Sequence, residues 1–359
     1  MLRIMFLTNR PYLPQKVGGA ESSTHEMIEA LSKRGNVCAV LSGLGAQPSF
    51  LQYKNRLKSK IFNEISPVDH SMGYPVYRGW SVKEAIPEIV EKVNPDVAIL
   101  MPCDGYANEY THVLAKSCVP TVLHLRDAEF DALGDPHEMN LVGVFSNSNF
   151  IADKFHDNFN IETSVFYNVF EREKYEVPEA GRFVTFINPV EIKGLEIALE
   201  LARLNPSIPF LFVEGWQLKV KEKQRLFDQL KSLSNVKWYP RVLDMRKVYS
   251  QTRLLIVPSQ SEEAWGRVVT EAHMSGIPVI ASEVGGLPES VGPGGILVNK
   301  NDMTGWHDAL NRVWSSFELW EKLSRIAKEY SFRAELSEAY IAERYEAALS
   351  RLVGKEKEG

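Results

Sequence analysis

Two acidic residues stand on either side of the predicted start of a helix. The stretch "SEEAWGRVVTEAHMSGIPVIAS" contains Glu263 and Glu271, separated by seven residues, and Gly266 and Arg267 lie between them. An apolar run typical of a buried strand precedes this stretch, which places the first acid in a loop and the second in the helix. The free amides of a first helical turn attract anions, and a carboxylate accepts hydroxyl hydrogen bonds strongly. The pattern therefore fits a ligand whose phosphate lies between two hydroxyl-bearing parts.

A nucleotide sugar has that layout, with a ribose diol at one end, hexose hydroxyls at the other and a diphosphate between them. Glu263 and Glu271 would each bind hydroxyls, and Arg267 would face the diphosphate. Gly266 lacks a Cβ, so we expect the ligand to approach the backbone closely there.

The composition indicates a globular protein with room for two domains. The chain has 359 residues, 44% hydrophobic and 24% charged, with a net charge of −5, which argues against non-specific nucleic-acid binding. Cys38, Cys103 and Cys118 are widely scattered, a pattern typical of reduced thiols rather than of disulfides or a zinc site. The sequence shows neither a signal peptide nor an apolar run of about 18 residues. We therefore expect a soluble cytoplasmic protein.

Apolar runs alternate with helical patterns along the chain, and these runs are nearly continuous in apolar character. This is typical of parallel strands covered on both faces, so the sequence predicts two doubly wound α/β domains. The predicted strands are 4–9, 37–42, 97–102, 120–125, 141–148, 183–189, 210–215, 236–240, 254–259 and 277–282, and the predicted helices between them include Glu21–Arg34, Val82–Val93, Leu195–Leu204, Val220–Ser232 and Gly266–Ser275.

The domain boundaries follow from a charged stretch without apolar periodicity. Residues 171–182 read as a linker, which gives a first domain over 1–170 and a second over 183–335. The tail 303–352 has an apolar stripe at helical spacing and is predicted to be helical throughout.

A basic segment, "FLQYKNRLKSKIFNEI" (50–65), carries Leu57 and Ile61 on one helical stripe among lysines and an arginine. Such a helix is able to dock on anionic lipid at the inner face of a membrane, or on an anionic acceptor. The alternative is a surface helix that packs one face on its own domain, and the acidic net charge favours that alternative.

Several nucleotide and hydrolase motifs are missing from the sequence. It contains no G-x-x-x-x-G-K-[ST], no G-x-G-x-x-G after a strand, no H-E-x-x-H and no G-x-S-x-G, which argues against P-loop nucleotidases, dehydrogenases, zinc peptidases and serine hydrolases. A different ligand must occupy the crevice at the strand ends, where open α/β sheets bind their ligands.

The stretch "PSQSEEAWGRVVTEAHMSGIPVIASEVGGLPE" resembles the E-x7-E signature of retaining glycosyltransferases of family 4, the glycosyl transferases group 1. "RPYLPQKVGGAESSTHEMIEALSKRGNVCAVLSG" and "INPVEIKGLEIALELA" resemble the glycine loop and the K-G motif of the same family. The resemblance covers both halves of the chain. It implies the GT-B fold, in which two Rossmann-like domains face a central cleft and the last helix, about 336–352, packs back on the first domain.

This resemblance implies retaining transfer of a sugar from a nucleotide-diphosphate donor, such as a UDP-sugar or GDP-sugar, to a hydroxyl of a small-molecule, glycan or lipid-linked acceptor. Neither a metal nor another cofactor is expected, and the product would be a polysaccharide, glycolipid or secondary-metabolite glycoside. Two alternatives stay open: an epimerase or phosphorylase on the same fold, and a non-catalytic paralogue that binds nucleotide sugars.

Donor roles are implied mainly for residues of the second domain. Glu271 would bind the ribose, Glu263 the hydroxyls of the donor sugar near the reacting carbon, and Lys193 and Arg267 the diphosphate. The remaining members of the predicted donor-binding set are Trp265, Gly266, Asn188, Gly18 and Gly19.

Other roles fall in the first domain. His124 would line the sugar side of the site and, with Glu263 and Lys193, form the predicted catalytic set. Arg126 and Asp127 are candidates for acceptor binding, with solvated loop charges as the alternative. One departure concerns Asn188, which stands where the family usually has an arginine, five residues before the lysine of the K-G motif.

Overall fold

The computed structural model describes residues 1–45, 65–101, 105–179 and 181–354. The predicted basic segment 50–65 lies outside the described residues except for Ile65. Cys103 lies outside them as well. The chain forms two compact units, of which the first comprises Met1–Val169 and the C-terminal residues from Glu338, and the second comprises Phe170–Ser337. Among the described residues, no helix combines the length and the apolar character needed to cross a bilayer.

The first unit contains an eight-stranded sheet in the order β3-β4-β2-β1-β5-β6-β7-β8, with every neighbouring pair parallel except β3 and β4. Its central strands are buried, as their continuous apolar runs predict. The strands are β1 Arg3–Pro11, β2 Val37–Gly43, β3 Val68–Asp69, β4 Val76–Gly79, β5 Val97–Leu100, β6 Thr121–Leu125, β7 Gly143–Ser146 and β8 Ser164–Val165, and the described helices of this unit are α1 Gly19–Lys33, α2 Val82–Val93, α3 Ala107–Lys116, α4 Asn149–Phe159 and the last helix, α12 Glu338–Leu352.

The second unit contains a six-stranded, fully parallel sheet in the order β11-β10-β9-β12-β13-β14. Its strands are β9 Phe183–Ile187, β10 Phe210–Val213, β11 Val236–Tyr239, β12 Thr252–Val257, β13 Val279–Ser282 and β14 Gly295–Val298. Its helices are α5 Leu195–Leu204, α6 Val220–Leu230, α7 Arg246–Tyr249, α8 Arg267–Met274, α9 Leu287–Val291, α10 Met303–Ser315 and α11 Phe317–Ser331. Both units are therefore doubly wound α/β structures, and the predicted fold class is confirmed.

The strand order of the second sheet reverses between β9 and β12. The chain moves outward from β9 through β10 to β11, then returns to lay β12 on the other side of β9. In such sheets, ligands bind at the carboxyl ends of the strands where the order reverses. The segments that follow β9 and β12 are therefore the first place to look for a site.

The predicted tail helix is interrupted twice. Ser316 separates α10 from α11, and its hydroxyl accepts a hydrogen bond of 3.1 Å from the backbone N–H of Leu319. Serine favours this N-cap position over a helix interior, so the apolar stripe continues while the helix does not. A second break over 332–337 contains the short 3-10 turn Ala334–Leu336.

Residues 171–182, predicted as a linker, belong instead to the second unit. The guanidinium of Arg172 donates hydrogen bonds to the backbone carbonyls of Met274, at 3.4 Å, and Ser331, at 3.2 Å. The N–H of Val177 donates to the hydroxyl of Ser275 at 2.9 Å. The charged, aperiodic sequence of this segment correctly indicated irregular backbone. It did not indicate that the segment packs against the second unit.

Candidate active site

The K-G motif forms a tight turn directly after β9. A 3-10 turn, Glu191–Lys193, leads to Gly194, whose φ of +88° lies in the left-handed region. A Cβ on Gly194 would lie 1.9 Å from the carbonyl oxygen of Pro258, so only glycine fits. The backbone N–H of Gln260 also donates to the carbonyl of Ile192 at 2.9 Å. The turn is thus bonded to the segment that follows β12.

This contact places Lys193 against Glu263. The lysine ammonium donates to Oε1 of Glu263, and the hydroxyl of Ser259 donates to the same oxygen at 2.6 Å. Both charged side chains are only 17% exposed. The backbone of Glu263 is held as well, because the N–H of Gly286 donates to its carbonyl at 2.7 Å. The structure thus brings together two residues that lie 70 positions apart in the chain.

At the start of α8, the reason for a glycine at position 266 differs from our expectation. Gly266 has φ of +82°, and a Cβ there would lie 2.5 Å from Cδ2 of Leu287. In this structure, the left-handed turn and the packing against α9 require glycine, rather than the approach of a ligand. The side chain of Trp265 is also buried, and its indole N–H donates to the hydroxyl of Thr270 at 3.0 Å.

Glu271 and Arg267 lie one helical turn apart on α8 and contact each other. Nε of Arg267 donates to Oε1 of Glu271 at 3.3 Å, and the hydroxyl of Tyr249 donates to Oε2 at 2.7 Å. The guanidinium also donates to the hydroxyl of Tyr175 at 2.9 Å and lies 4.3 Å from the ring centre of Phe170. Because both charged side chains are 9% exposed, their orientation is fixed by protein contacts.

The electrostatics keep Tyr249 a hydrogen-bond donor. Its burial, together with the neighbouring carboxylate of Glu271, raises the pKa of this phenol well above its usual value. The hydrogen bonds from Tyr249 and Arg267 engage both oxygens of the Glu271 carboxylate and hold it in one orientation.

Asn188 lies at the end of β9 in a left-handed conformation, with φ of +62°. Its side-chain oxygen accepts a hydrogen bond of 2.6 Å from the backbone N–H of Trp216, which follows β10. The indole of Trp216 is in turn 5.0 Å from the ammonium of Lys193, measured to the ring centre. The side chain of Asn188 is therefore bonded to the loop that carries Trp216.

In the first unit, His124 is buried at the end of β6. Its Nδ1 lies 3.1 Å from the hydroxyl of Tyr345 on α12 and 3.4 Å from the guanidinium of Arg126. Burial, followed by the charge of Arg126, lowers the pKa of His124 well below its usual value, so the imidazole is neutral near pH 7. The structure shows its packing, and its role toward a sugar stays a prediction.

Gly18 and Gly19 lie at the start of α1, Gly18 as the N-cap in an extended conformation. The carboxylate of Glu21 covers this position, because a Cβ on Gly18 would lie 2.7 Å from its Oε2. Lys16 pairs with the other oxygen of Glu21 at 2.8 Å. In this structure, a side-chain anion of the protein therefore occupies the amino end of α1.

The two acceptor candidates line a small recess beside β1. Arg126 donates to the carbonyl of Ala20 at 3.3 Å and to the hydroxyl of Thr24 at 3.1 Å. Asp127 pairs with Arg10 at 3.0 Å. The recess has a volume of about 30 Å³, room for a few water molecules at most. Acceptor binding by these residues stays a prediction.

The sequence did not single out three residues that contact the charged groups: Tyr249, Tyr175 and Ser259. Tyr249 ends a four-residue helix, and Tyr175 lies in the segment that we predicted as a linker. Ser259 directly follows Pro258, which ends the apolar run of β12. This position after a buried strand was the one sequence signal that could have marked it as a site residue. Within the described residues, no group of three or more His, Cys, Asp or Glu side chains is placed to hold a metal ion.

The match to a known protein family falls almost entirely within the second unit. Residues 169–330 match the family model described as "Glycosyl transferases group 1". Through this segment, the chain is similar to the group 1 glycosyl transferases. The matched range contains the whole arrangement around Lys193, Glu263 and Glu271.

Individual relatives in the family are similar over part of the chain. The D-inositol 3-phosphate glycosyltransferase of Mycolicibacterium smegmatis is 30% identical over 189 residues, which cover 50% of this chain and 42% of that protein. The corresponding protein of Saccharomonospora viridis is 41% identical over 92 residues, covering 25% of this chain and 21% of its own length. The chain thus spans less than half of these relatives.

Solved structures of glycosyltransferases share the fold over almost the entire chain. Anabaena Alr3699/HepE in complex with UDP superposes with a TM-score of 0.77 at 18% identity, covering 98% of this chain and 100% of that one. A glycosyltransferase from Rickettsia africae also gives a TM-score of 0.77, at 14% identity, covering 99% and 100%. The chain therefore has the GT-B type of fold, with two parallel-sheet units.

Proposed function

We propose that the protein is a retaining glycosyltransferase that moves a sugar from a nucleotide-diphosphate donor to an acceptor hydroxyl. The second unit would bind the donor above β9 and β12. The observation that carries this proposal is the convergence of Lys193, Glu263, Arg267 and Glu271 at the point where the strand order reverses. The match to the family model supports it, and so do the HepE structures, one of which is described as a complex with UDP-glucose.

The geometry favours different roles for the two cations. Arg267 is engaged by Glu271 and Tyr175, so we assign it to holding the ribose-binding carboxylate. Lys193 is more exposed, at 17% against 9% for Arg267, and we assign it to the diphosphate. As the glycosyl–phosphate bond breaks, its electron pair passes to the diphosphate, and a fixed ammonium stabilises the charge that develops there.

The direct test is incubation of the protein with UDP-sugars and GDP-sugars, with and without candidate acceptors, followed by mass spectrometry. The acceptor set includes neutral polyols and an inositol phosphate. Sugar transfer with retention, read from the anomeric NMR coupling of the product, is the expected result. Transfer should persist in EDTA, because the proposed site uses protein cations at the diphosphate.

Three other outcomes would replace this proposal. Sugar phosphate formed only with inorganic phosphate would indicate a phosphorylase, and an epimerised donor formed without acceptor would indicate an epimerase. Nucleotide binding with neither transfer nor donor hydrolysis, across the whole acceptor set, would indicate a non-catalytic binding protein.

A further inference from the structure

Asn188 stands where the resemblance implies an arginine, and its side chain forms a hydrogen bond to a neighbouring loop. Asn188 is anchored by its backbone, because its N–H donates to the carbonyl of Val213 at 3.0 Å and its carbonyl accepts from the N–H of Val190 at 2.8 Å. Its left-handed φ suits asparagine better than most side chains. The side chain is thereby aimed at the loop after β10.

That loop is shaped to receive the asparagine. A Cβ on Gly215 would lie 2.4 Å from Oδ1 of Asn188, so the close approach requires glycine at this position. The same oxygen then accepts the backbone N–H of Trp216 at 2.6 Å. Asn188 and Gly215 together fix the backbone from which the indole of Trp216 projects.

The indole of Trp216 is in contact with the cation of the candidate site. Trp216 is 43% exposed, and its ring centre lies 5.0 Å from Nζ of Lys193, within the range of a cation–π interaction. The same Nζ donates to Glu263. Two fixed contacts therefore orient an ammonium that carries three donor hydrogens, which leaves part of it to meet a ligand.

We propose that Asn188 is a positioning residue: through Trp216, it sets the direction in which the ammonium of Lys193 meets the donor diphosphate. This inference rests on the proposed function for its link to the diphosphate. The contact between Trp216 and Lys193 would make Trp216 a second determinant of diphosphate affinity. Under the proposed function, the site then works with one oriented ammonium at the diphosphate.

The first experiment needs no nucleotide. Asn188→Gly keeps the left-handed backbone and deletes the acceptor oxygen, so Trp216 loses its anchor and the Lys193 amine becomes more accessible. Competitive acetylation with acetic anhydride, read by peptide mass spectrometry, should show faster modification of Lys193 than in the parent protein. Asn160→Gly is the matched control, because Asn160 is also left-handed, with φ of +51°, at the end of α4. It should leave the Lys193 rate unchanged.

The second experiment measures the ligand. Inhibition of transfer by UDP or GDP, whichever the protein accepts, is compared with inhibition by the matching nucleoside. Asn188→Gly and Trp216→Leu should each weaken nucleoside diphosphate binding about two- to fivefold, the range of one exposed cation–π contact, and leave nucleoside binding unchanged. Adding Asn188→Gly to Trp216→Leu should cause no further loss, because both act through the same contact.

The variant Asn188→Arg distinguishes a positioning role of Asn188 from the simple lack of a positive charge at this position. An arginine at this position is strained in the left-handed conformation and does not accept the hydrogen bond from the Trp216 N–H. Diphosphate affinity should therefore fall although a cation is added. Tighter binding by Asn188→Arg, additive losses in the double variant, or an unchanged Lys193 acetylation rate in Asn188→Gly would each overturn the inference. A parent protein that binds no nucleotide would refute the proposed function, and the acetylation result would still decide the coupling of Asn188 to Lys193.

Discussion

Among single residues, Glu271 has its carboxylate oriented by neighbouring side chains. Tyr249 and Arg267 hold its two oxygens from within the second unit, so little side-chain freedom would be lost when a diol binds. Under the proposed function, this fixed orientation would preorganise the carboxylate for the ribose hydroxyls.

Removal of this carboxylate should act on donor affinity more than on turnover. Glu271→Ala is expected to raise the donor KM at least about tenfold, because charge-assisted hydrogen bonds of about 1.5–3 kcal/mol are lost, with a smaller change in kcat. Initial-rate kinetics over a range of donor concentrations measure this. The control Glu343→Ala, on an exposed position of α12, should leave both constants unchanged. An unaltered donor KM in Glu271→Ala would contradict the ribose assignment.

The buried imidazole of His273, also on α8, should make the stability of the second unit depend on pH. Burial first, then the charge of Arg333, lowers its pKa to about 3. Below pH 6.5, the unfolded chain takes up a proton that the folded unit does not, so stability falls with falling pH down to about 3. The loss amounts to about 2 kcal/mol between pH 6.5 and pH 5. His273→Asn should remove it, as measured by urea unfolding of the second unit at both pH values. An equal pH slope in the variant would show that His273 is not the cause.

At the scale of elements, the site depends on the contact between the turn after β9 and the loop after β12. Gly194 is the closest point of that contact, since its Cβ position lies against the carbonyl of Pro258. The sequence identifies this glycine as part of the K-G motif, and the structure gives the physical reason for it.

Gly194→Ala should therefore destabilise the second unit by about 2–4 kcal/mol, through left-handed strain and a backbone clash that forces the loops apart. Gly35→Ala is the control, because Gly35 has nearly the same φ of +89° with nothing within 4 Å of its Cβ position. It should cost only about 1 kcal/mol. Urea unfolding followed by fluorescence compares the two. Equal losses would mean that the close approach to Pro258 contributes nothing.

The sequence predicted the elements whose pattern is local and strong. Continuous apolar runs located the central strands, and the two acids of the 261–282 stretch fell in a loop and a helix as expected. Strands β3, β4, β8 and β14 were missed. The first and third of these have only two residues, too few to carry periodicity, and β4 and β14 have only four. The hydrogen bonds from Tyr249 to Glu271 and from Lys193 to Glu263 join separate elements, so they were not readable from spacing alone.

At the scale of the whole molecule, the chain returns to its first unit with its last helix. Tyr345 of α12 is fully buried, with its ring centre 5.1 Å from that of Phe145 and 4.9 Å from that of Phe166. Its hydroxyl lies 3.1 Å from Nδ1 of His124. A residue near the C-terminus thereby contributes to a core formed mostly by the first 169 residues.

Tyr345→Ala should lower the unfolding free energy of the first unit by about 3–5 kcal/mol, the usual cost of truncating a buried aromatic ring. Amide hydrogen exchange, resolved by peptide, should show faster exchange in the strands of the first unit and little change in those of the second. Uniform acceleration in both units would show that they unfold as one cooperative body instead.

Under the proposed function, a nucleotide-diphosphate sugar binds the second unit at the carboxyl ends of β9 and β12. A crystal structure of the protein grown with UDP tests it most directly. We expect a diphosphate within hydrogen-bond distance of the Lys193 ammonium and a ribose whose hydroxyls reach the carboxylate of Glu271. A nucleotide bound elsewhere on the chain, or no nucleotide on the second unit at saturating UDP or GDP, would contradict it.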